Sequence, residues 1–152
     1  MPGPRENRLR TDWEKVNKLA AESGGTLKLV RHAGEPPHLY VIEYHCPGLE
    51  KKNDGEIVAR QLHQVEIQLG SDYPFSSPMA RMLTPTFNPH VWPQSAICLG
   101  SWSIAETLDT LILRIGALLQ LDPKVLNPNS PANSEANHWV RQNRAKIPLG
   151  TV

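Results

Sequence analysis

Cys98 and His90 are the two residues whose types and spacing most invite chemistry. Cys98 lies in Tyr73–Leu108, YPFSSPMARMLTPTFNPHVWPQSAICLGSWSIAETL, where prolines at 74, 78, 85, 89 and 93 enforce loop. Such a stretch serves to hold a thiol at the surface ahead of a helix. A thiolate attacks an activated acyl group, and the resulting thioester stays open to amines. His90 stands eight positions earlier and carries an imidazole that can donate or accept a proton near neutral pH. Asn88 adds an amide beside it. The same Cys/His pair could form a hydrolase dyad, given imidazole within reach of sulfur and a water path to the acyl-enzyme. The competing assignment is a buried structural thiol, the usual state of a free cysteine; the proline-rich setting argues against it. Cys46 ends a strand and reads as core or edge.

The elements that must position these residues follow from periodicity. Leu9, Trp13, Val16 and Ala20 mark one face of a helix over Glu6–Glu22, ended by Gly24-Gly25. Its other face carries Arg5, Arg8, Arg10, Lys15 and Lys18, a solvated basic face or a docking face for an acidic partner. Four strands are predicted, at Thr26–His32, His38–Cys46, Leu62–Leu69 and Met79–Leu83, with a polar loop over Pro47–Glu56. Ser103-Ile-Ala-Glu106 fits a capping box opening a helix that runs to about Gln120. Its buried stripe is Leu108, Leu111, Ile112, Ile115, Leu118 and Leu119. After the polar loop 127–133 a last helix, Ser134–Asn143, turns Ala136, Trp139 and Val140 inward. The expected architecture is α+β: a four-stranded antiparallel meander packed against an N-terminal helix and two C-terminal helices. It forms a single domain over residues 1–152, with its core at about 6–143 and loose tails at both ends.

Composition narrows the function. The 152 residues suffice for one real core, and a net charge of +1 creates no field toward nucleic acid or anionic membrane. Two cysteines without CxxC or Cys/His spacing speak against a disulfide framework or a structural zinc. The apolar run LILRIGALLQL is broken by Arg114 and too short to span a bilayer. With no signal segment, the expected compartment is the cytoplasm, where a free thiol stays reduced.

At this point the residues resemble the ubiquitin-conjugating enzyme family. Tyr73-Pro74-Phe75-x-x-Pro78 resembles the loop after that family's third strand. Asn88-Pro89-His90-Val91 resembles its His-Pro-Asn motif with the first and third residues interchanged. Ile97-Cys98-Leu99 resembles the thioester cysteine, and Trp102-Ser103-x-Ala105 resembles the Trp-Ser-Pro-Ala of the second helix, with Ile104 in place of Pro. Leu121-Asp122-Pro123 and Asn127-Pro128 also have counterparts, so the likeness covers about residues 39–143. The link from Cys98 to Trp102 is four residues shorter than in typical members, and the family's fourth helix is absent. Both features are most similar to compact bacterial conjugating enzymes of ubiquitin-like conjugation operons, some of which act in antiphage defence.

The resemblance implies a UBC-fold transferase. A ubiquitin-like modifier passes from an activating enzyme to Cys98 as a thioester, then to an amine of a target protein, a phage protein among the candidates, with or without a ligase. No cofactor is implied for this chain: ATP and Mg are used by the activating enzyme, consistent with the lack of a Gly-rich phosphate loop. Arg5, Arg8, Arg10 and Lys15 match the region that docks the activating enzyme; Phe75, Ile104 and Ala105 match positions that meet ligases. His90 stands at the motif Asn, thought to donate to the oxyanion, and losing such a donor typically costs about 100–1000-fold. On that assignment His90→Ala leaves thioester loading intact and slows discharge. Otherwise His90 braces the loop, and Asn88 supplies the amide or neither residue reaches. A lysine acceptor, with an ordinary pKa near 10.4, must lose its proton, and the rim that promotes this could include Asp122, Asn127, Asn129 and Ser130. The remaining alternatives are a silent adaptor of the same fold that binds a ubiquitin-like protein, although such variants usually lack the cysteine, and the Cys/His hydrolase.

Overall fold

A computed structural model describes residues 3–147. Helix α1 spans Pro4–Glu22. Proline suits its first turn, where the ring presets φ and the missing N–H has no intrahelical partner to lose. Residues 4–6, expected as a frayed tail, are therefore helical. Leu9 and Val16 are buried as their spacing predicts, but the same face also buries Asp12.

Strands β1 (Leu27–Gly34), β2 (Pro37–Lys51), β3 (Ile57–Gln68) and β4 (Met79–Met82) form one antiparallel sheet in the order β1-β2-β3-β4, the expected meander. The first half of the expected loop Pro47–Glu56 is strand, and only 52–56 turns. Its polar composition hid a pairing that resumes after a bulge, with Gly48 opposite Arg60 and Lys51 opposite Ile57. Gly48 is required by close approach: a Cβ there would stand 2.7 Å from the buried His63 ring and 3.1 Å from the Leu119 carbonyl.

Tyr40, Ile42, Tyr44, Val65 and Ile67 line the sheet's inner face. Against them packs α2 (Leu108–Leu119), burying the full predicted stripe. Each such side chain contributes about 1.5–3 kcal/mol on full burial. The Tyr44 hydroxyl donates to the Ile112 carbonyl at 2.8 Å, fixing the helix over the sheet.

The capping box is a correction. Ser103 and Glu106 form a turn, with the Glu106 N–H on the Ser103 carbonyl, and the helix starts only at Leu108. The Thr107 side chain makes no capping bond; the Leu108 N–H instead meets Asp12 Oδ1 at 3.4 Å. The cap is thus supplied by another helix, and the Glu106 carboxylate pairs with Arg114 at 2.9 Å.

Helix α3 (Ser134–Gln142) is capped by Asn133, whose Oδ1 accepts the Ala136 N–H at 3.0 Å. A 3-10 turn, Arg144–Lys146, follows. Ala136, Val140 and Ile147 complete a small second core with Leu49, Phe87 and Leu121. Trp139 is half-buried and edge-on to Phe87, centroids 6.3 Å apart. Past the expected core end at about residue 143, Arg144–Lys146 form that turn and Ile147 is buried; residues 148–152 of the expected tail lie outside the described residues. Among the described residues no helix is long and apolar enough to cross a membrane.

Candidate active site

Cys98 ends a tight excursion folded against β4. Val91 bridges Ile97, and the Ile97 N–H donates to the Ala80 carbonyl at 2.9 Å. Met82 N–H donates to Ser95 at 2.8 Å. Ser95 has φ +84, a left-handed conformation that turns the chain back on itself. Both Val91 and Ile97 are buried, so the residue after Ile97 is held by core packing on one side and by its own N–H, on the His90 carbonyl at 2.7 Å, on the other. The Cys98 thiol remains half-buried. Cys46 is buried, and burial pushes its thiol up to about 11, which leaves almost no nucleophilic thiolate at neutral pH.

His90 and Asn88 both reach this segment, each through hydrogen bonds to backbone groups. His90 Nε2 accepts the Asn127 N–H at 3.0 Å, which places the ring proton on Nδ1, and Nδ1 donates to the Cys98 carbonyl at 3.2 Å. Both ring nitrogens thus meet backbone groups, and among the described residues no hydrogen bond joins the imidazole to the Cys98 sulfur. Asn88 is equally committed: its Nδ2 donates to the Leu118 carbonyl at 2.8 Å and its Oδ1 accepts the His90 N–H at 2.9 Å. The proline before His90 adds a further tie, because the Pro89 carbonyl accepts the Ala132 and Asn133 N–H groups. Residues 88–90 thereby join the cysteine segment, the end of α2 and the loop before α3.

The expected rim is only partly assembled. Asn127 reaches the site through its backbone; its side chain accepts the Asn129 N–H at 3.2 Å. Asp122 is a turn residue whose Oδ1 accepts the Lys124 N–H at 3.0 Å. Asn129 and Ser130 are exposed.

The basic residues of α1 divide. Arg10 and Lys15 are exposed. Arg5 donates to the Gly70 carbonyl at 2.8 Å, and Arg8 donates to Ile104 at 2.7 Å and to the Glu106 carbonyl. Both therefore tie α1 to loops instead of forming a free docking face. Arg8 also pairs with Asp12 at 3.2 Å and lies over the Tyr73 ring. Asp12 further accepts the Tyr73 hydroxyl, and this burial beside a carboxylate pushes the phenol well above its usual range. Trp102 Nε1 donates to the Pro74 carbonyl at 2.8 Å. Through these contacts the 73–75 and 102–106 loops are held together, and Phe75 (83% exposed), Ile104 (47%) and Ala105 project from them into solvent.

Two features escaped the sequence. Asp12 occupies the apolar face of α1, between Leu9 and Val16 and four residues after Arg8; an acid on that face was the available signal. Glu66 stands between Val65 and Ile67 on β3, and its side chain is only 6% exposed, with Arg81 (2.9 Å) and Arg31 (3.5 Å) against it. The Arg81 guanidinium bonded to it holds the Glu66 carboxyl below its usual range.

Comparison with known proteins agrees with this arrangement. The family model described as ubiquitin-conjugating enzyme matches residues 51–148. Ubiquitin-conjugating enzyme E2 13 of Saccharomyces cerevisiae is 35% identical over 85 residues, covering 53% of this chain and 53% of the yeast protein. The match thus spans about half the length of that relative. With an α+β meander of four antiparallel strands and three helices among the described residues, the chain has the UBC fold and belongs to the ubiquitin-conjugating enzyme family.

Proposed function

We propose that the chain carries a ubiquitin-like modifier as a thioester on Cys98 and passes it to an amine of a target protein. The observation that carries this reading is the contrast between the two thiols. Cys98 is half-buried and held by its backbone within the family-matched segment, whereas Cys46 is fully buried and un-ionised. In loading, Cys98 gives up its proton to solvent and its sulfur bonds the modifier's activated carbonyl carbon; the bond that held this carbonyl to the activating enzyme breaks and the leaving group stays on that enzyme, which uses ATP and Mg for the prior activation. In discharge, the amine nitrogen bonds that carbonyl carbon, the C–S bond breaks, Cys98 leaves as thiolate, and the nitrogen's proton goes to solvent.

His90 and Asn88 act here as positioning residues. Their hydrogen bonds fix the carbonyl of Cys98 and the loop at Asn127 without placing an ionised group beside the thiol. Arg10 and Lys15 supply the exposed charge for docking the activating enzyme, while Arg5 and Arg8 shape that helix's seat. Phe75, Ile104 and Ala105 form the apolar patch open to a ligase. The short Cys98–Trp102 link supports a role in a compact bacterial conjugation system, antiphage defence included, and the carrier thiol suits a reducing cytoplasm. Targets would include phage proteins.

The test is a mixture of this protein with activating enzyme, modifier and ATP-Mg, resolved on non-reducing gels. Wild type is expected to give a thiol-sensitive adduct, Cys98→Ala none, and Cys98→Ser a thiol-stable ester. A folded wild type that loads from none of several cognate pairs would replace this reading with the adaptor.

A further inference from the structure

Helix α2 ends on a position that glycine commonly fills. Its last turn closes as a Schellman motif: the Leu121 N–H donates to the Leu118 carbonyl at 3.0 Å and the Asp122 N–H to the Ala117 carbonyl at 3.0 Å. That motif needs a left-handed residue just past the helix, and Leu121 supplies it at φ +63. A leucine is strained there, because its Cβ crowds the backbone. Two contacts hold it. Its side chain is buried in the second core with Phe87 and Val140. Its carbonyl accepts Arg144 Nη1 at 2.7 Å, from the 3-10 turn after α3. The chain leaving Leu121 has little freedom. Pro123 fixes its own φ, and Asp122 accepts the Lys124 N–H on Oδ1 and the Val125 N–H on its carbonyl. Val125 and Leu126 pack against the core. The direction taken at Leu121 therefore sets where Asn127 arrives, and the Asn127 N–H is the donor to His90 Nε2. The other nitrogen of that ring holds the Cys98 carbonyl.

We propose that Arg144 is a positioning residue for the carrier thiol: by holding the carbonyl of strained Leu121 it sets the 122–127 loop, and through Asn127 and His90 it fixes the backbone of Cys98. The proposal rests on the carrier function above and adds to it a residue from the far side of α3. A guanidinium suits the position, because the end of α2 presents carbonyls with a partial negative charge and no partner within the helix. The same helix end holds Asn88, whose Nδ2 bonds the Leu118 carbonyl at 2.8 Å. Both sides of the cysteine segment are thus registered to one helix terminus, and Arg144 secures the side that is strained. Without it Leu121 keeps only its apolar seat, its φ relaxes, and the Asn127 N–H moves off the ring. The thioester carbonyl then meets an amine from a less fixed attitude, which slows transfer without removing any reacting group.

The test compares the whole protein, labelled with nitrogen-15, with Arg144→Ala, Arg144→Lys and Arg141→Ala. In Arg144→Ala the Asn127 amide should exchange with solvent about tenfold faster, the scale of one hydrogen bond from a charged donor. The His90 nitrogen shifts should leave the Nδ1–H form for a mixture of the two tautomers. For discharge, Cys98 is loaded without activating enzyme: its thiolate bonds the carbonyl carbon of a glycyl-glycine thioester and the small thiol leaves. Transfer to free lysine, followed by mass spectrometry, should slow about tenfold in Arg144→Ala. Arg144→Lys keeps a cationic donor and should recover part of all three. Arg141 is an exposed cation in the last turn of α3, and Arg141→Ala should match wild type throughout. Unchanged Asn127 and His90 signals in Arg144→Ala would overturn the proposal whatever the discharge rate. Signals that move while discharge keeps its wild-type rate would overturn it and leave the carrier function standing. Equal slowing in Arg141→Ala would assign the effect to net charge and overturn it as well. A wild-type thioester inert to every amine would overturn the carrier function and this role together.

Discussion

Two polar knots hold the loops of this molecule, and they are built from opposite materials. Around Asp12 the groups are charged and nearly dry: one carboxylate receives Arg8, the Tyr73 hydroxyl and the first N–H of α2. Around His90 they are neutral: an imidazole, an amide and backbone groups tie residues 88–90, Cys98 and Asn127. The first knot lies far along the chain from the thiol and sets the scaffold, joining α1, the 73–75 loop and the start of α2. The second surrounds the thiol. A fixed ion there would bias the thiolate and the approach of a charged acceptor, whereas neutral hydrogen bonds give rigidity without a local field. Charged groups tie the scaffold at Asp12, and neutral groups tie the loop at His90.

The contrast can be broken at its strong end first. Asp12→Ala leaves Arg8, Tyr73 and the Leu108 N–H without their common partner, and should cost about 3–5 kcal/mol in urea unfolding. Asp12→Asn keeps an acceptor oxygen and should lose clearly less. Equal losses would mean that the charge of Asp12 contributes nothing.

His90→Ala removes two hydrogen bonds and strands the Asn127 N–H, at a cost of about 1–3 kcal/mol. Because the imidazole braces the loop, loading and discharge of Cys98 should fall together in single-turnover assays. A loss confined to discharge would restore the oxyanion role.

A third buried polar group sharpens the distinction between charged and neutral. Burial holds the His63 imidazole below its usual value, and its Nε2 bonds the Arg60 carbonyl at 2.9 Å. Below a pH of about 6.5 the unfolded chain takes up a proton that the folded chain resists. Stability is therefore full above that pH and declines as pH falls toward the lowered folded value. Unfolding free energies between pH 7 and 5 should show this slope, and His63→Gln should flatten it.

The smallest effect belongs to an exposed pair. Lys51 and Glu135 meet at 2.8 Å with side chains 41% and 65% exposed. Lys51→Ala should change stability by less than about 0.5 kcal/mol, and a larger change in thermal unfolding would show that this contact secures α3.

What the sequence by itself determined is local and periodic. The apolar stripe of α2 was legible because a helix repeats its buried face every few residues, and the meander was legible because strands in succession with short links pair as neighbours. Cys98 was legible because prolines and a motif surround it. The tertiary structure alone decided where polar groups find partners. Ser103 and Glu106 satisfy a local capping rule, yet α2 is capped by Asp12, 96 residues away, because a buried carboxylate needs donors and a helix end supplies one. The polar run 47–51 became strand because pairing across the sheet outweighs composition. Arg5 and Arg8 lie near the side of α1 that carries Leu9 and Asp12 and bond carbonyls of distant loops, whereas Arg10, two positions on from Arg8, lies on the opposite side and is exposed. For the same reason the contacts of His90 were not legible: both of its nitrogens meet partners that only the folded chain brings within reach.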